Sequence, residues 1–234
     1  MLSRLSRIRI AGSAADLWVP LLLLASAGLA LSIDLPLASW FSNHQLPGDL
    51  REILTVVETF GHGIGVALIL IAIWTLNPDA RRFLPRLIGA SLGAGMLANV
   101  IKLMVNRQRP RAFQIASTEV LDTFGGLQWF VNAGHGNQSF PSAHSATAVG
   151  FAVALSVCFP RGKYLFAVLA ALTCVSRMWC EAHYASDVLA GTAVGFVAAR
   201  FVLRQQGLSA KLPQILPRAL AEPRERIQDR QQAA

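Results

Sequence analysis

The chain has 234 residues, of which 53% are hydrophobic and 15% are charged. An ordinary soluble domain is about one quarter charged, so this composition, with a mean hydropathy of +0.46, is typical of an integral membrane protein. It excludes a disordered chain, a disulfide-stabilised secreted domain and a conventional cytosolic enzyme. The three cysteines have no zinc-ligand spacing, and their odd number argues against a disulfide framework.

Six apolar stretches are candidate membrane-spanning helices, because a helix needs about 20 mainly apolar residues to cross a bilayer. They lie at roughly 15–33, 60–76, 87–105, 142–159, 164–180 and 187–203. We therefore predict an all-α fold in which residues 1–203 form a six-transmembrane-helix bundle. Residues 204–234 are predicted to be a basic cytoplasmic tail, partly disordered. The first stretch could instead be a cleaved signal peptide, since Ala25-Ser26-Ala27 follows an apolar run, and its removal would not alter the topology of the other helices.

Two glycine pairs within these stretches predict close contacts between helices. They are Gly89-x-x-x-Gly93 and Gly191-x-x-x-Gly195, and small residues at this spacing let two helix backbones approach each other.

The positions of Lys and Arg predict the orientation of the bundle, because cytoplasmic loops are enriched in these residues. With a cytoplasmic N-terminus, 15 of the 21 cations fall in cytoplasmic segments. The net charge of +8 is then a signal of topology and of attraction to anionic lipids, and no nucleic-acid partner is predicted. The first outer loop is acidic (Asp34, Asp49, Glu52, Glu58), and 35–58 is predicted to contain an amphipathic helix on the outer membrane surface.

Ionisable side chains cluster at span ends that share the outer side of the predicted bundle. A charged group inside a membrane helix costs about 2.5–3.5 kcal/mol, so such a cluster indicates function. Its members are Lys102 and Arg109 after the third span, Ser142 and His144 at the start of the fourth, Arg177 at the end of the fifth, and His183 and Asp187 before the sixth. Three cations, two imidazoles and one carboxylate suit a phosphate dianion.

The local spacings favour this chemistry. Arg109 offers a bidentate fork for two phosphate oxygens, whereas Lys102 is a point charge. Pro141-Ser142 is typical of a helix start, where the free N–H groups of Ala143 and His144 could bind a phosphate. His183 and Asp187 lie four residues apart, so the carboxylate can hold one ring nitrogen protonated and leave the other free to attack.

These residues resemble the three-part signature of the type 2 phosphatidic acid phosphatase superfamily, which also includes glucose-6-phosphatase, bacterial acid phosphatases and vanadium haloperoxidases. The three parts are Lys102-(six residues)-Arg109-Pro110, Pro141-Ser142-Ala143-His144, and Ser176-Arg177-(five residues)-His183-(three residues)-Asp187. The resemblance covers 102–187 directly.

The resemblance implies a role for each matched position. His183 would attack phosphorus to form a phosphohistidine, Asp187 would orient it, and His144 would protonate the leaving oxygen and then activate water. The phosphate-binding residues would be Lys102, Arg109, Ser142, Ala143 through its backbone, and Arg177. No metal and no other cofactor is implied.

One position departs from the family pattern, since Ala143 stands where members usually have Gly. A left-handed backbone would be strained there with Ala, so we expect activity with altered loop tightness. Glu181 lies inside the third motif and would repel the substrate unless it points away. His62, His135 and Arg111 match no motif position and are predicted to be structural or peripheral.

The predicted function is metal-independent hydrolysis of a phosphomonoester or diphosphate on a membrane lipid. Candidate substrates by resemblance are undecaprenyl diphosphate, phosphatidate, phosphatidylglycerol phosphate and lipid A. The predicted location is a bacterial inner (plasma) membrane, with the site facing the periplasm or exterior and both termini in the cytoplasm. Three alternatives remain: a lipid phosphotransferase using the same site, a vanadate-dependent peroxidase, and a non-enzymatic transporter of anionic lipids. The oligomeric state stays open.

Overall fold

The computed structural model describes residues 14–44, 46–112, 119–127 and 135–204. These residues form mainly helices: α1 (Ala15–Asn43), α2 (Gly48–Glu58), α3 (Gly63–Leu76), α4 (Leu84–Lys102), α5 (Ala143–Cys158), α6 (Lys163–Trp179) and α7 (Ala185–Arg204). Between α4 and α5, the strands β1 (Val105–Arg107) and β2 (Phe124–Leu127) pair antiparallel. The predicted all-α class is therefore confirmed, with one short ribbon added.

Within the described ranges, three helical segments are long and apolar enough to cross a membrane: Ala15–Asn43, Pro78–Lys102 and Ala185–Arg204. A fourth span results if the segment Gly48–Gly61 and α3, which are bent by 69° relative to each other, count as one. Helix α5 is apolar but shorter. A crossing by all six predicted stretches therefore stays a prediction, as does the tail, which beyond Arg204 lies outside the described residues.

Several predicted boundaries were wrong. Helix α1 continues ten residues past the predicted end at residue 33, to Asn43, although it contains Pro20 and Pro36. The third predicted span ends at Lys102, because 105–107 form β1. By contrast, the amphipathic helix predicted within 35–58 is confirmed as α2, at Gly48–Glu58.

Helix α2 has one apolar face turned outward and one residue in the core. Leu50, Ile53 and Val56 recur every third residue and are exposed, whereas Leu54 is buried. This pattern is typical of a helix that lies along a membrane surface.

Glycines bring α7 close to its neighbour α5. A Cβ at Gly191 would lie 2.3 Å from the carbonyl oxygen of Ser142, and one at Gly195 would lie 2.4 Å from that of Ala146. The close contact predicted from this pair is confirmed. The prediction is wrong for Gly93, where a Cβ would meet nothing within 4 Å.

The apolar core sits between α3, α4 and α5, around Leu87, Phe151 and Leu155. Large apolar side chains on the outside, such as Leu29, Leu76 and Phe201, remain exposed, as expected of a surface that faces lipid. Because α4 and α6 end where α5 and α7 begin, four helix termini meet at one end of the bundle.

Candidate active site

The sequence-predicted site residues come together at this end of the bundle. Lys102 is the last residue of α4, Ser142 caps α5, Arg177 lies near the end of α6, and Asp187 is in the first turn of α7. Lys102, Ser142, Arg177, His183 and Asp187 are all buried. Lys102 lies within electrostatic range of Arg109, Arg177 and Asp187, and His144 lies within that range of His183.

His183 and Asp187 form the predicted pair across the turn between α6 and α7. The Nδ1 atom of His183 is 3.8 Å from Oδ2 of Asp187, which is longer than a hydrogen bond. That Oδ2 also accepts hydrogen bonds from Ser139 Oγ at 2.5 Å and from the Tyr184 N–H at 2.9 Å. The carboxylate is thus held in one orientation.

Burial lowers the pKa of His183 to about 4. The nearby Asp187 raises this pKa and the cations Lys102 and Arg109 lower it further, but burial has the largest effect. The imidazole is therefore neutral at pH 7, which is the state that a nucleophilic histidine needs.

The cations of the site include nitrogen atoms that lack partners. Among the described residues, the Nε atoms of Arg109 and Arg177 are buried without a hydrogen-bond partner. Burial, followed by the charges of Arg111 and Arg177, lowers the pKa of Arg109. Since buried donors in proteins are normally satisfied, these groups indicate a place for an anion.

The start of α5 does not show the backbone strain that the sequence analysis considered for Ala143. Ser142 Oγ accepts hydrogen bonds from the Ser145 N–H at 3.3 Å and from Ser145 Oγ at 2.9 Å, so it acts as the helix cap. Ala143 is helical, and within the described part of the chain the one non-glycine residue with positive φ is Glu181, at 52°. The strain considered for Ala143 is therefore absent.

Glu58, at the end of α2, enters the site although the sequence analysis gave it no role. Its Oε1 accepts a hydrogen bond from Nη1 of Arg177 and lies 3.7 Å from Nε2 of His144. Glu58 also lines a polar cavity of about 400 Å³ between α1, α2 and the end of α6, together with Arg51 and Glu181. No family motif covers α2, so no local signal pointed to this carboxylate.

The residues without a motif position lie around the site. The ring of His62 is 5.6 Å from that of His144, and its Nδ1 accepts the Ile64 N–H at the start of α3. The N–H of Arg111 donates to the carbonyl of Glu181 at 3.2 Å. His135 begins a short turn, His135–Asn137, and its side chain lies outside the described part of the structure.

Asp34 and Arg107 were missed by the sequence analysis. Asp34 was predicted to belong to an acidic outer loop, which was wrong: it lies inside α1 and is 1% exposed. Arg107 is fully buried, with Nη2 2.7 Å from Oδ2 of Asp34 and Nη1 2.5 Å from Oδ1 of Asp187. An aspartate within an apolar run was the available signal for Asp34.

No group of three or more His, Cys, Asp or Glu side chains in the described ranges is arranged to hold a metal ion. Independence from metal remains a prediction about the reaction.

Comparison with known proteins shows the family. The model of the PAP2 superfamily matches residues 83–210, which is more than half of the chain, and the chain therefore belongs to this superfamily.

Two curated relatives are lipid A 1-phosphatases. The one from Rhizobium etli is 36% identical over 102 residues, which cover 44% of this chain and 41% of the relative. The one from Rhizobium johnstonii is 36% identical over 102 residues, covering 44% and 39%. The chain thus spans about two-fifths of the length of these relatives.

Two crystal structures share the fold. LpxE from Aquifex aeolicus superimposes with a TM-score of 0.55 at 22% identity, covering 74% of this chain and 95% of that one. A transmembrane PAP2-type phosphatidylglycerolphosphate phosphatase from Bacillus subtilis gives a TM-score of 0.53 at 19% identity, covering 85% and 96%.

Proposed function

We propose that this member of the PAP2 superfamily is a membrane lipid phosphatase that works through a phosphohistidine and without a metal ion. The observation that carries the proposal is the juxtaposition of a buried, neutral His183, held near Asp187, with the buried Nε atoms of Arg109 and Arg177 that lack partners. The nucleophile lies within electrostatic range of Lys102 and Arg109, and its N–H donates to the carbonyl of Arg177. A nucleophile beside anion-binding groups is the arrangement that phosphoryl transfer requires.

In the first step, His183 attacks phosphorus. Because Nδ1 faces Asp187, Nε2 supplies the electron pair that forms the phosphorus–nitrogen bond. The bond from phosphorus to the lipid oxygen breaks, and His144 gives its proton to that oxygen. Asp187 stabilises the charge that develops on the His183 imidazole.

In the second step, water replaces the lipid. His144, now neutral, accepts a proton from a water molecule, whose oxygen attacks phosphorus. The phosphorus–nitrogen bond breaks, inorganic phosphate leaves, and both histidines return to their starting states. A phosphotransferase would differ only in using an acceptor alcohol in place of water.

The cations stabilise the oxygens that do not react. Lys102, Arg109 and Arg177 approach from three different elements, and charge on the phosphoryl oxygens is stabilised most strongly in a site from which water is excluded. The N–H groups at the start of α5 point in the direction favoured by anions.

The substrate class follows from the surroundings of the site and from the relatives. Helix α2 presents apolar residues beside the pocket, which suits a lipid whose chains stay in the bilayer while its phosphate reaches the cations. Because the matched curated relatives are lipid A 1-phosphatases, lipid A is the first candidate, followed by undecaprenyl diphosphate, phosphatidate and phosphatidylglycerol phosphate. We place the site on the extracytoplasmic side of a six-span bundle in the bacterial inner membrane.

Phosphate release from these lipids by the purified protein in detergent tests the proposal. We expect release without an added acceptor alcohol and in excess EDTA, and loss of release in His183→Ala. Release should be near normal in the control Tyr164→Ala, which removes an exposed ring at the end of α6 away from the site. Activity only with an acceptor would identify a phosphotransferase, and metal-reversible loss in EDTA would contradict the metal-independent mechanism. Lipid transport retained by His183→Ala without any phosphate release would favour a transporter.

A further inference from the structure

Arg107 connects two carboxylates beneath the site, one on α1 and one on α7. Its guanidinium contacts Asp34 through Nη2 and Asp187 through Nη1. The guanidinium carbon also lies 4.4 Å from the ring centre of Phe124 and 4.2 Å from that of Tyr184. A guanidinium held at both ends and enclosed by two rings has little freedom to move.

Asp34 is attached to the same turn of α7 that carries Asp187. Its Oδ1 accepts the Ser186 N–H at 3.0 Å, and its Oδ2 accepts a hydrogen bond from Ser186 Oγ. Nη1 of Arg107 in turn donates to Ser186 Oγ at 2.7 Å. Asp34, Arg107, Ser186 and Asp187 therefore form one closed network.

This network carries a large desolvation cost for a contact between two helices. A buried ion pair is often no more stable than well-packed apolar residues of the same volume, because its charges lose their hydration. Here three charged side chains are removed from water, and one of them, Asp187, is the residue that faces His183. A cost of this kind is typical of positions that hold a functional group in place.

We propose that Asp34 and Arg107 are positioning residues for the nucleophile, an inference that rests on the proposed function. Asp34 fixes the guanidinium of Arg107, and Arg107 occupies Oδ1 of Asp187. Only Oδ2 of Asp187 then remains for His183, so the imidazole turns Nε2 toward the phosphate. Neither Asp34 nor Arg107 belongs to the family motif, and neither contacts the reacting atoms.

The chain offers a matched control at the opposite end of the same two helices. Asp16 of α1 pairs with Arg200 and Arg204 of α7. Asp16→Asn and Asp34→Asn each remove one α1 carboxylate charge that links α1 to α7 and keep the side-chain shape. A role in helix packing alone predicts similar consequences for the two variants.

For Asp34→Asn we expect kcat to fall between about 10-fold and 100-fold, because small misplacements of a reacting group cost this much. KM and the inhibition constant of inorganic phosphate should stay within about threefold, since Lys102, Arg109 and Arg177 are untouched. Inhibition by orthovanadate should weaken by about as much as kcat, because a transition-state analogue needs the oriented nucleophile. Asp16→Asn should leave all four quantities unchanged.

Arg107→Lys, which keeps the charge but cannot bridge both carboxylates, should weaken vanadate inhibition while phosphate inhibition is retained.

Thermal unfolding in detergent separates positioning from misfolding. A folded Asp34→Asn protein with unchanged kcat and vanadate inhibition would overturn the inference, as would equal losses of phosphate and vanadate binding. If Asp34→Asn does not fold, Ser186→Ala removes one hydroxyl from the network and should show the same split between phosphate and vanadate; no split would overturn the inference. Activity retained by His183→Ala would instead refute the proposed nucleophile.

Discussion

The protonation state of His183 links the packing of the site to its chemistry. The side chain is enclosed by protein, and this burial holds its pKa at about 4, below the ordinary value of about 6.5. The neutral form, which carries the free electron pair, therefore persists through the physiological range. The nearby cations help, because they repel an imidazolium.

We predict a bell-shaped pH–rate profile whose acidic limb lies well below pH 6.5. Activity depends on neutral His183 and is lost only as the pH falls through its lowered pKa, about 4. The basic limb appears in kcat and reflects loss of the proton that His144 donates once the anionic substrate is bound. The measurement is kcat/KM and kcat between pH 3 and 9 for two lipid phosphates of different phosphate pKa, because kcat/KM reports the free enzyme and kcat the substrate complex. A limb of the profile whose midpoint differs between the two substrates reflects titration of the substrate phosphate. An acidic limb that stays at pH 6.5 with both substrates would contradict the prediction.

Glu58 competes with the substrate for Arg177, because its carboxylate occupies one of the guanidinium nitrogens. Glu58→Gln should therefore lower the inhibition constant of inorganic phosphate by about fivefold, the equivalent of about 1 kcal/mol for a partly exposed ion pair. Glu52→Gln, an exposed change on the same helix, is the matched control. Unchanged phosphate inhibition in Glu58→Gln would mean that the carboxylate does not restrict the pocket.

At the scale of elements, the close contact between α5 and α7 positions the site. The carbonyl of Asp187 accepts the Ser142 N–H at 3.0 Å, so the first turns of the two helices are directly bonded. Gly191 makes this possible, since it leaves space for the carbonyl of Ser142. The two halves of the candidate site, His144 on α5 and His183 before α7, are held together by this contact.

Gly191→Ala should lower both stability and activity. The new Cβ would lie 2.3 Å from the carbonyl oxygen of Ser142, so the helices must separate, at a cost of about 1–3 kcal/mol for overpacking. Gly93→Ala is the control, because a Cβ there meets nothing within 4 Å and alanine favours the helix. Thermal unfolding and phosphate release measure both effects; equal behaviour of the two variants would contradict the role of the contact.

The sequence predicted those parts of the site that local patterns encode. Except in the segment of Arg109 and Pro110, the motif residues stand at or beside a helix end, so the hydropathy pattern predicted that Lys102, His144 and Asp187 share one side. Arg107, Asp34 and Glu58 were not predicted, because they belong to no motif and their partners lie far along the chain. Asp34 was misplaced for a related reason: α1 continues past its apolar core, and the pairing with Arg107 allows the charge to be buried.

At the scale of the whole molecule, the candidate site lies at one end of the bundle and the basic turns between the helices lie at the other. The site lies where α4 and α6 end, whereas Asp16 pairs with Arg200 and Arg204 at the other end. The turns that carry Arg81, Arg82, Arg161 and Lys163 also lie at that other end. Since cytoplasmic loops favour Lys and Arg, this division favours the proposed location of the site outside the cytoplasm.

Cysteine labelling tests this orientation. Cys180 is exposed at the site end of α6, whereas Cys158 is buried at the far end of α5. With Cys158 and Cys174 replaced by Ala, a membrane-impermeant maleimide added to intact spheroplasts should label Cys180. In a protein that lacks all three native cysteines, a cysteine introduced at Asp79 should react only after permeabilisation, because it lies in the turn between α3 and α4. The reverse pattern would place the site in the cytoplasm, where it could not meet lipid phosphates of the outer leaflet.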